Sequence, residues 1–254
     1  MQDSKMIQNV EEVINMDVQR SFTKIKTVDP QILIGILKTY ALYNPQIEYC
    51  QGMNFVAGFL YLIFRDEEKS FKALQEIIEV NDMAEMFNPS LPKLKLLFYQ
   101  LDRLLNIYLP QLHTHFKDEM VNSSYYSSPW FITIFTNSLQ QQEDDLVGDR
   151  ILSLFDYFLT SGWKAIFKMS LFLMKAHEQE LMSMSFENIL NFISERPKQL
   201  LAERDHTPEE SMHKQIKRAT KEMRHIQFTI ERLEQEFRDS LEASNHQNNK
   251  KASQ

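Results

Sequence analysis

A chain of 254 residues, 43% of them hydrophobic, is long enough to bury the core of one large domain with an appendage. Its net charge of −7, with the basic residues scattered along the sequence, argues against a nucleic acid as partner, because nucleic acids bind basic faces. The one cysteine, Cys50, excludes an internal disulfide and suits a reducing compartment. The longest apolar stretch, Met53–Phe64, is shorter than the ~20 residues that span a bilayer, so we expect a cytoplasmic protein without a transmembrane segment.

Hydrophobic residues recur at helical spacing along most of the chain, which predicts an all-α fold of many helices. Segment 52–64 is apolar around almost its whole circumference, so we expect a central helix there. Ser128-Pro129 combines a capping hydroxyl with a proline suited to the first helical position, and predicts the start of a helix that runs towards Leu139. The other predicted helices span 31–44, 70–80, 93–109, 147–162, 163–174 and 185–196, with a polar loop at 140–145.

The C-terminal part of the sequence has a different character. Residues 207–210 read T-P-E-E, which predicts a capping box at the start of a helix. Behind it, apolar residues alternate spacings of four and three along 212–237, as in a heptad seam. Such a helix either pairs with another chain, as a homodimer or coiled-coil partner, or folds back on its own domain; the regular alternation favours the coiled coil. We therefore predict a domain at 1–200, a coiled-coil helix at 205–243 and a disordered polar tail at 244–254.

The chain contains five glycines, and none of them forms a phosphate-binding loop of the G-x-x-x-x-G-K-[ST] or G-x-G-x-x-G type. Any nucleotide chemistry in which this protein takes part therefore needs another protein to hold the nucleotide. His113 and His115 point to different sides of a helix with no third ligand near them in sequence, so no metal site is expected.

Two short stretches carry more specific information. The first reads I-N-M-D-V-Q-R at 14–20, and the second reads Y-C-Q-G-M-N at 49–54. Together they resemble the I-x-x-D-x-x-R and Y-x-Q signatures of the TBC domain, the family of Rab GTPase-activating proteins. The sequences PWF at 129–131 and ILSLFDYFLTSGW at 151–163 are similar to a third conserved region of that family. The resemblance covers roughly residues 10 to 195.

The resemblance implies an activator with two catalytic fingers supplied to a partner, which holds the GTP and Mg²⁺, so that the chain needs no cofactor of its own. Arg20 would stabilise the negative charge that develops on the phosphates, and Gln51 would orient the attacking water. An arginine supplied in this way raises the rate of GTP hydrolysis on the order of 10³ to 10⁵-fold. Asp17, three residues before Arg20, is expected to brace the guanidinium.

Tyr49, Gly52 and Asn54 are expected to support the segment that carries Gln51, at the start of the apolar helix. Only 13 residues precede Ile14, whereas the family domain begins with a further helical section, so the resemblance implies a domain whose N-terminal part is short or missing. The implied function is that of a Rab GTPase activator, not an enzyme in its own right, which is recruited peripherally to endomembranes and regulates vesicle trafficking. The alternative is a catalytically weak scaffold that binds a Rab protein and acts through its coiled coil.

Overall fold

The computed structural model describes residues 2–47, 49–87, 90–141, 147–202 and 211–252. Over these ranges the regular structure consists of fourteen α-helices and one 3-10 helix, which confirms the predicted all-α class. The N-terminal helices are α1 (Gln2–Arg20), α2 (Pro30–Tyr43), α3 (Met53–Phe64), α4 (Glu67–Val80), α5 (Ala84–Phe87), α6 (Pro92–Tyr108) and α7 (Pro110–Asp118). After them come α8 (Ser123–Thr133), the 3-10 helix (Thr136–Gln141), α9 (Asp149–Ser161), α10 (Trp163–Ala176), α11 (Glu178–Leu181), α12 (Phe186–Ala202), α13 (Met212–Ala219) and α14 (Ile226–Ala252).

Helix α3 is the central helix that its apolar sequence predicts. It contacts α1, α2, α4, α8 and the 3-10 helix, and eight of its twelve residues are buried. Aromatic side chains extend the core from there: the ring centroids of Phe59 and Phe155 lie 4.5 Å apart, and those of Phe131 and Phe167 lie 5.6 Å apart. No helix of the described residues is long and apolar enough to cross a membrane.

The end of α1 is held against α3 by a close contact. Phe22 adopts a left-handed backbone conformation, with φ of 53°, and its ring packs against Phe55 with a centroid distance of 5.7 Å. A Cβ atom on Gly58 would come within 2.4 Å of the Phe22 ring. The missing side chain at Gly58 therefore lets the turn after α1 sit directly on α3.

Helix α8 begins earlier than the Ser128-Pro129 pair predicts. Asn122 is its N-cap and accepts a hydrogen bond from the Ser124 N–H at 2.9 Å, while Pro129 lies inside the helix. Proline removes one helical hydrogen bond there. Burial of Tyr126, Trp130 and Phe131 offsets that loss. The helix ends at Thr133 and does not reach Leu139.

Helix α12 likewise runs through Pro197 to Ala202, although the sequence predicts that it ends before this proline. Ile193, Pro197 and Leu201 share one face and are all buried. Tertiary packing of this face outweighs the helix-breaking tendency of proline. The predicted loop at 140–145 begins inside the 3-10 helix, and its residues from 142 onward lie outside the described ones.

The predicted coiled-coil helix is wrong in two respects. The segment is divided into α13 and α14 by the turn at 220–225, and its seam is buried within the chain itself. Helix α13 packs on α9 and α10, and α14 packs on α6 and α10. The seam residues at most 8% exposed are Met212, Ile216, Met223, Ile226, Ile230 and Leu233. Because these side chains already fill the core, they cannot also form the predicted dimer seam at 212–237.

Two further predictions concern the C-terminal region. The backbone from Ser244 to Ala252 continues α14 as helix, where the polar composition predicts a disordered tail. The capping box predicted at 207–210 lies outside the described residues.

Alanine substitutions at two glycines inside helices test this packing, because they should change the free energy of unfolding in opposite directions. Gly58→Ala should lower the free energy of unfolding by roughly 1 to 3 kcal/mol, because the added methyl group would overlap the Phe22 ring. Gly35→Ala in α2 should raise it by roughly 0.5 to 1 kcal/mol, since the close neighbour among the described residues is the end of the flexible Glu67 side chain, at 2.9 Å. Urea denaturation of both variants measures the difference; equal effects would contradict the close contact at Gly58.

Candidate functional site

The two motifs meet at one cleft. Arg20 is the last residue of α1, and Gln51 lies two residues before the start of α3. Both line a cleft with a volume of about 590 Å³, and both are exposed, the Arg20 side chain to 60%. The structure therefore brings together the two residues that the sequence singles out as candidate fingers.

Asp17 connects the two motifs. Its buried carboxylate, 5% exposed, accepts a hydrogen bond from the Arg20 guanidinium through Oδ1. The other oxygen, Oδ2, accepts a hydrogen bond from the Tyr49 hydroxyl at 2.7 Å. One carboxylate therefore holds the arginine of the first motif and the tyrosine of the second in a fixed relation, which agrees with the bracing position expected for Asp17.

Asn54 and Ser21 complete a ring of hydrogen bonds. The Asn54 Nδ2 donates to Ser21 Oγ at 2.6 Å, and the Ser21 hydroxyl donates to the Asp17 carbonyl oxygen at 2.6 Å. The Tyr49 hydroxyl lies 3.3 Å from Asn54 Oδ1, so the connection runs from Asp17 through Tyr49 and Asn54 back to the backbone of Asp17. Buried polar groups that satisfy one another in this way rigidify their surroundings.

Gly52 fixes the backbone next to Gln51. Its φ of +112° lies in the region that favours glycine, and its N–H donates to Asn54 Oδ1 at 3.0 Å. A Cβ atom at this position would come within 2.4 Å of Ile132 Cγ2 in α8. Both the backbone angle and the contact therefore require glycine, and the segment that carries Gln51 lies directly on α8.

Burial sets the protonation state of two groups at the cleft. Burial raises the pKa of Tyr49, and the hydrogen bond to Asp17 and its negative charge raise it further. The phenol therefore remains a hydrogen-bond donor at neutral pH. Burial and the Asp17 charge also raise the pKa of the Cys50 thiol, which keeps it in the unreactive thiol form.

Sequence reasoning did not find the rest of the cleft. Ser21 directly follows Arg20 but carries no pattern that marks it as a member of the ring. The opposite walls come from α8, the 3-10 helix and α12, with Trp130, Asn137, Ser194 and Lys198 among their lining residues. Trp130 belongs to the PWF stretch at 129–131 that resembles the family, but only the fold shows that it lines this cleft. The other three are far from both motifs in sequence, so only the fold reveals them. Among the described residues, no group of three His, Cys, Asp or Glu side chains is placed to hold a metal ion.

Comparison with known proteins assigns the family. The family model of the Rab-GTPase-TBC domain matches residues 1–182, well over half of the chain. The chain belongs to this Rab-GTPase-TBC family. The TBC match includes both motifs and all the residues of the hydrogen-bonded ring. Its extent agrees with the range over which the sequence resembles the family.

Several TBC relatives are similar to the chain over most of its length. The Ecotropic viral integration site 5 ortholog of Drosophila melanogaster is 31% identical over 188 residues, which cover 72% of this chain and 22% of that protein. Rab GTPase-activating protein eat-17 of Caenorhabditis elegans is 29% identical, covering 72% and 20%. GTPase-activating protein GYP5 of Saccharomyces cerevisiae is 30% identical, covering 73% and 20%. The chain thus spans about a fifth of the length of these relatives.

Solved structures show the same TBC fold. The Ypt/Rab-GAP domain of Gyp1p superposes with a TM-score of 0.64 at 16% identity, covering 84% of this chain and 72% of that one. The Chlamydomonas flagellar RabGAP TBC domain gives a TM-score of 0.58 at 20% identity, covering 84% and 68%. At these identities, the likeness establishes the fold of the chain.

The ring predicts that loss of the hydroxyl has different effects on stability at the half-buried Tyr49 and at the buried Tyr126. Tyr49→Phe removes the 2.7 Å hydrogen bond to the buried Asp17 carboxylate and should lower the free energy of unfolding by about 1 to 3 kcal/mol. Tyr126→Phe is the matched control, because its buried hydroxyl has no hydrogen-bond partner among the described residues. Its removal should leave stability unchanged or raise it. Urea denaturation of both variants measures the difference; a Tyr49→Phe variant as stable as the control would contradict the ring.

Proposed function

We propose that this chain stimulates GTP hydrolysis by a Rab-family small GTPase, to which it supplies Arg20 and Gln51. The partner holds GTP and Mg²⁺, and the chain contributes no cofactor. Family membership supports the class of activity, because relatives that match most of the chain are named as GTPase-activating proteins. On this proposal the chain is an activator that completes another protein's active site, and it acts on the surfaces of the membranes where Rab proteins reside.

The observation that carries the proposal is that one open cleft presents both residues. A finger residue must leave its own protein's surface and enter the partner, so its side chain has to be exposed. Arg20 meets this requirement with a side chain that is 60% exposed at the end of α1, and Gln51 is exposed at the same cleft. Phosphoryl transfer depends chiefly on positioning and on positive charge, which these two side chains supply.

Asp17 would prepare the guanidinium for this task. Arginine stays charged and offers several donors in a planar fork, so it can contact Asp17 on one edge and phosphate oxygens on the other. Because Tyr49 and the ring hold the carboxylate, Arg20 would enter the partner with part of its conformational freedom already lost. The positioning of Gln51 would depend in the same way on Gly52 and its contact with α8.

The proposal predicts that both fingers are required for stimulated hydrolysis. Single-turnover GTP hydrolysis is measured for a panel of GTP-loaded Rab-family GTPases with wild type, Arg20→Ala, Arg20→Lys and Gln51→Ala. Arg20→Ala should reduce the stimulated rate by at least about 10³-fold. Arg20→Lys should recover little, because lysine lacks the planar fork. Gln51→Ala should reduce the rate by about 10²-fold through loss of the positioned water.

Two matched variants control for the loss of an exposed polar side chain. Arg238 is 65% exposed and forms an ion pair with Glu234 on its own helix, much as Arg20 does with Asp17. Gln227 is exposed and hydrogen-bonded to Glu231 at 2.9 Å. Arg238→Ala and Gln227→Ala should keep full stimulation. Circular dichroism confirms that each variant is folded, and an Arg20→Ala variant that retains full stimulation would refute the finger assignment.

The scaffold alternative gives a different pattern in the same experiment. A protein that only binds would retain GTP-loaded partner on a column without accelerating hydrolysis by any member of the panel. The scaffold was expected to act through a coiled coil at 212–237, whereas most of the seam residues of that segment are buried within the chain. We therefore place catalytic activation ahead of scaffolding.

A further inference from the structure

Lysines that are distant in sequence lie on one region of the folded chain. Lys164, Lys168 and Lys175 share one face of α10, with spacings of four and seven residues. Lys214, Lys217 and Lys221 lie on α13 and the turn after it, with spacings of three and four. Helix α13 packs on α10, so the fold joins the two sets. We call these six lysines the basic ridge; they correct the impression from the sequence that the basic residues are scattered.

Both ends of α13 are fastened to the domain. At its start, the Ser153 hydroxyl of α9 accepts a hydrogen bond from the His213 N–H at 3.0 Å. At its end, the Lys175 ammonium donates to the Ala219 carbonyl oxygen at 3.3 Å and forms an ion pair with Glu222. Met212 and Ile216 lie on the inward side of α13 and are fully buried. The ridge is therefore a fixed surface of the domain.

Positive charge is crowded on this surface. Burial lowers the pKa of the Lys168 ammonium, and the charges of Lys164 and Lys217 lower it further, with Glu222 opposing them. The Lys217 ammonium lies 4.8 Å from the centre of the Tyr157 ring. Glu222 is bonded to Lys175. Burial lowers the pKa of His213, and the charges of Lys217 and Lys214 lower it further, with Asp156 opposing them. Among the described residues, Glu222 and Asp156 are the acidic groups that act on these side chains, and they are fewer than the six lysines.

We propose that the basic ridge is a docking surface for a membrane leaflet rich in anionic phospholipids, with the ring of the exposed Phe228 entering the lipid interface. Phe228 follows Lys221 by seven residues in the first turn of α14 and is 67% exposed, while Ile226 and Ile230 on either side are buried. Clustered lysines together with an exposed aromatic side chain are the composition that binds an anionic interface. This proposal goes beyond the proposed activity and does not depend on it.

The residue types favour a membrane over other acidic partners. Of the seven Lys and Arg side chains on α10, on α13 and at position 221, six are lysines and the seventh is Arg218. Lysines act as hydrated point charges, whereas arginine is the residue that grips individual phosphates and bases with a planar fork. Lysine is also depleted in protein interfaces relative to the rest of the surface. A fluid layer of lipid headgroups needs only a concentration of positive charge, to which each lysine near the surface contributes additively. In a chain of net charge −7, the ridge would also set its orientation on the membrane.

The test is sedimentation of the full chain with vesicles of phosphatidylcholine alone and of phosphatidylcholine with phosphatidylserine in about a 3:1 ratio. Wild type should bind only the second kind, and binding should weaken as salt rises. The combined variant Lys164→Gln, Lys214→Gln, Lys217→Gln, Lys221→Gln should bind at least about tenfold more weakly. Phe228→Ser should bind roughly tenfold more weakly with an unchanged dependence on salt.

The matched control changes four exposed lysines outside the ridge to glutamine, Lys26, Lys69, Lys95 and Lys117, and so alters net charge equally. This control should bind like wild type if the ridge is the site. Equal weakening in both fourfold variants would overturn the proposal, as would binding of wild type to phosphatidylcholine alone. A single-stranded oligonucleotide that displaces the protein from vesicles and binds it as tightly would show a general polyanion site and also overturn it. Thermal denaturation of each variant confirms that it is folded.

Discussion

The cleft depends on the hydrogen bonds that the Asp17 carboxylate accepts from Arg20 and Tyr49. This carboxylate is almost fully buried, and a buried charge is tolerable only when hydrogen bonds compensate its lost hydration. Arg20 and Tyr49 supply those bonds from the two motifs. The spacing of Asp17 and Arg20 on α1 and the presence of a tyrosine before Gln51 therefore have one cause, which is the need to satisfy a single carboxylate from two directions. The same need couples the position of the arginine to that of the segment carrying the glutamine.

Two glycines make this coupling geometrically possible. Gly58 lets Phe22 lie directly on α3, so that α1 ends where Arg20 can reach the cleft, and Gly52 lets the segment before α3 lie directly on α8. Each contact brings a backbone closer to a side chain than any residue with a Cβ atom would allow. The chain has only five glycines, and these two lie six residues apart, at the start of α3 and inside it. The site is thus positioned by close packing of the backbone at these two glycines as well as by hydrogen bonds.

The sequence predicted those features that depend on local periodicity and missed those decided by distant packing. The apolar patterns of α3 and α6 predicted the bounds of both helices closely, because a continuous apolar face of this spacing is buried only when the segment is helical. Local signals failed at Pro129 and Pro197, where buried neighbours carry a helix through a proline. The motif residues were found by their spacing, and PWF of the α8 wall by its resemblance to the family. Ser21 and the walls from the 3-10 helix and α12 were not found, since their role exists only after folding.

The seam at 212–237 shows why such a pattern is ambiguous. Apolar spacings of four and three specify a helix with one hydrophobic face, but they do not specify whose surface covers it. Here α13 and α14 turn that face inward, on to α6, α9 and α10. Burial of the apolar side necessarily directs the opposite side of α13 outward, and that side carries Lys214 and Lys217. The basic ridge is therefore a consequence of folding the helix back: the packing that removes the hydrophobic seam from any partner also aligns the lysines of α13 with those of α10.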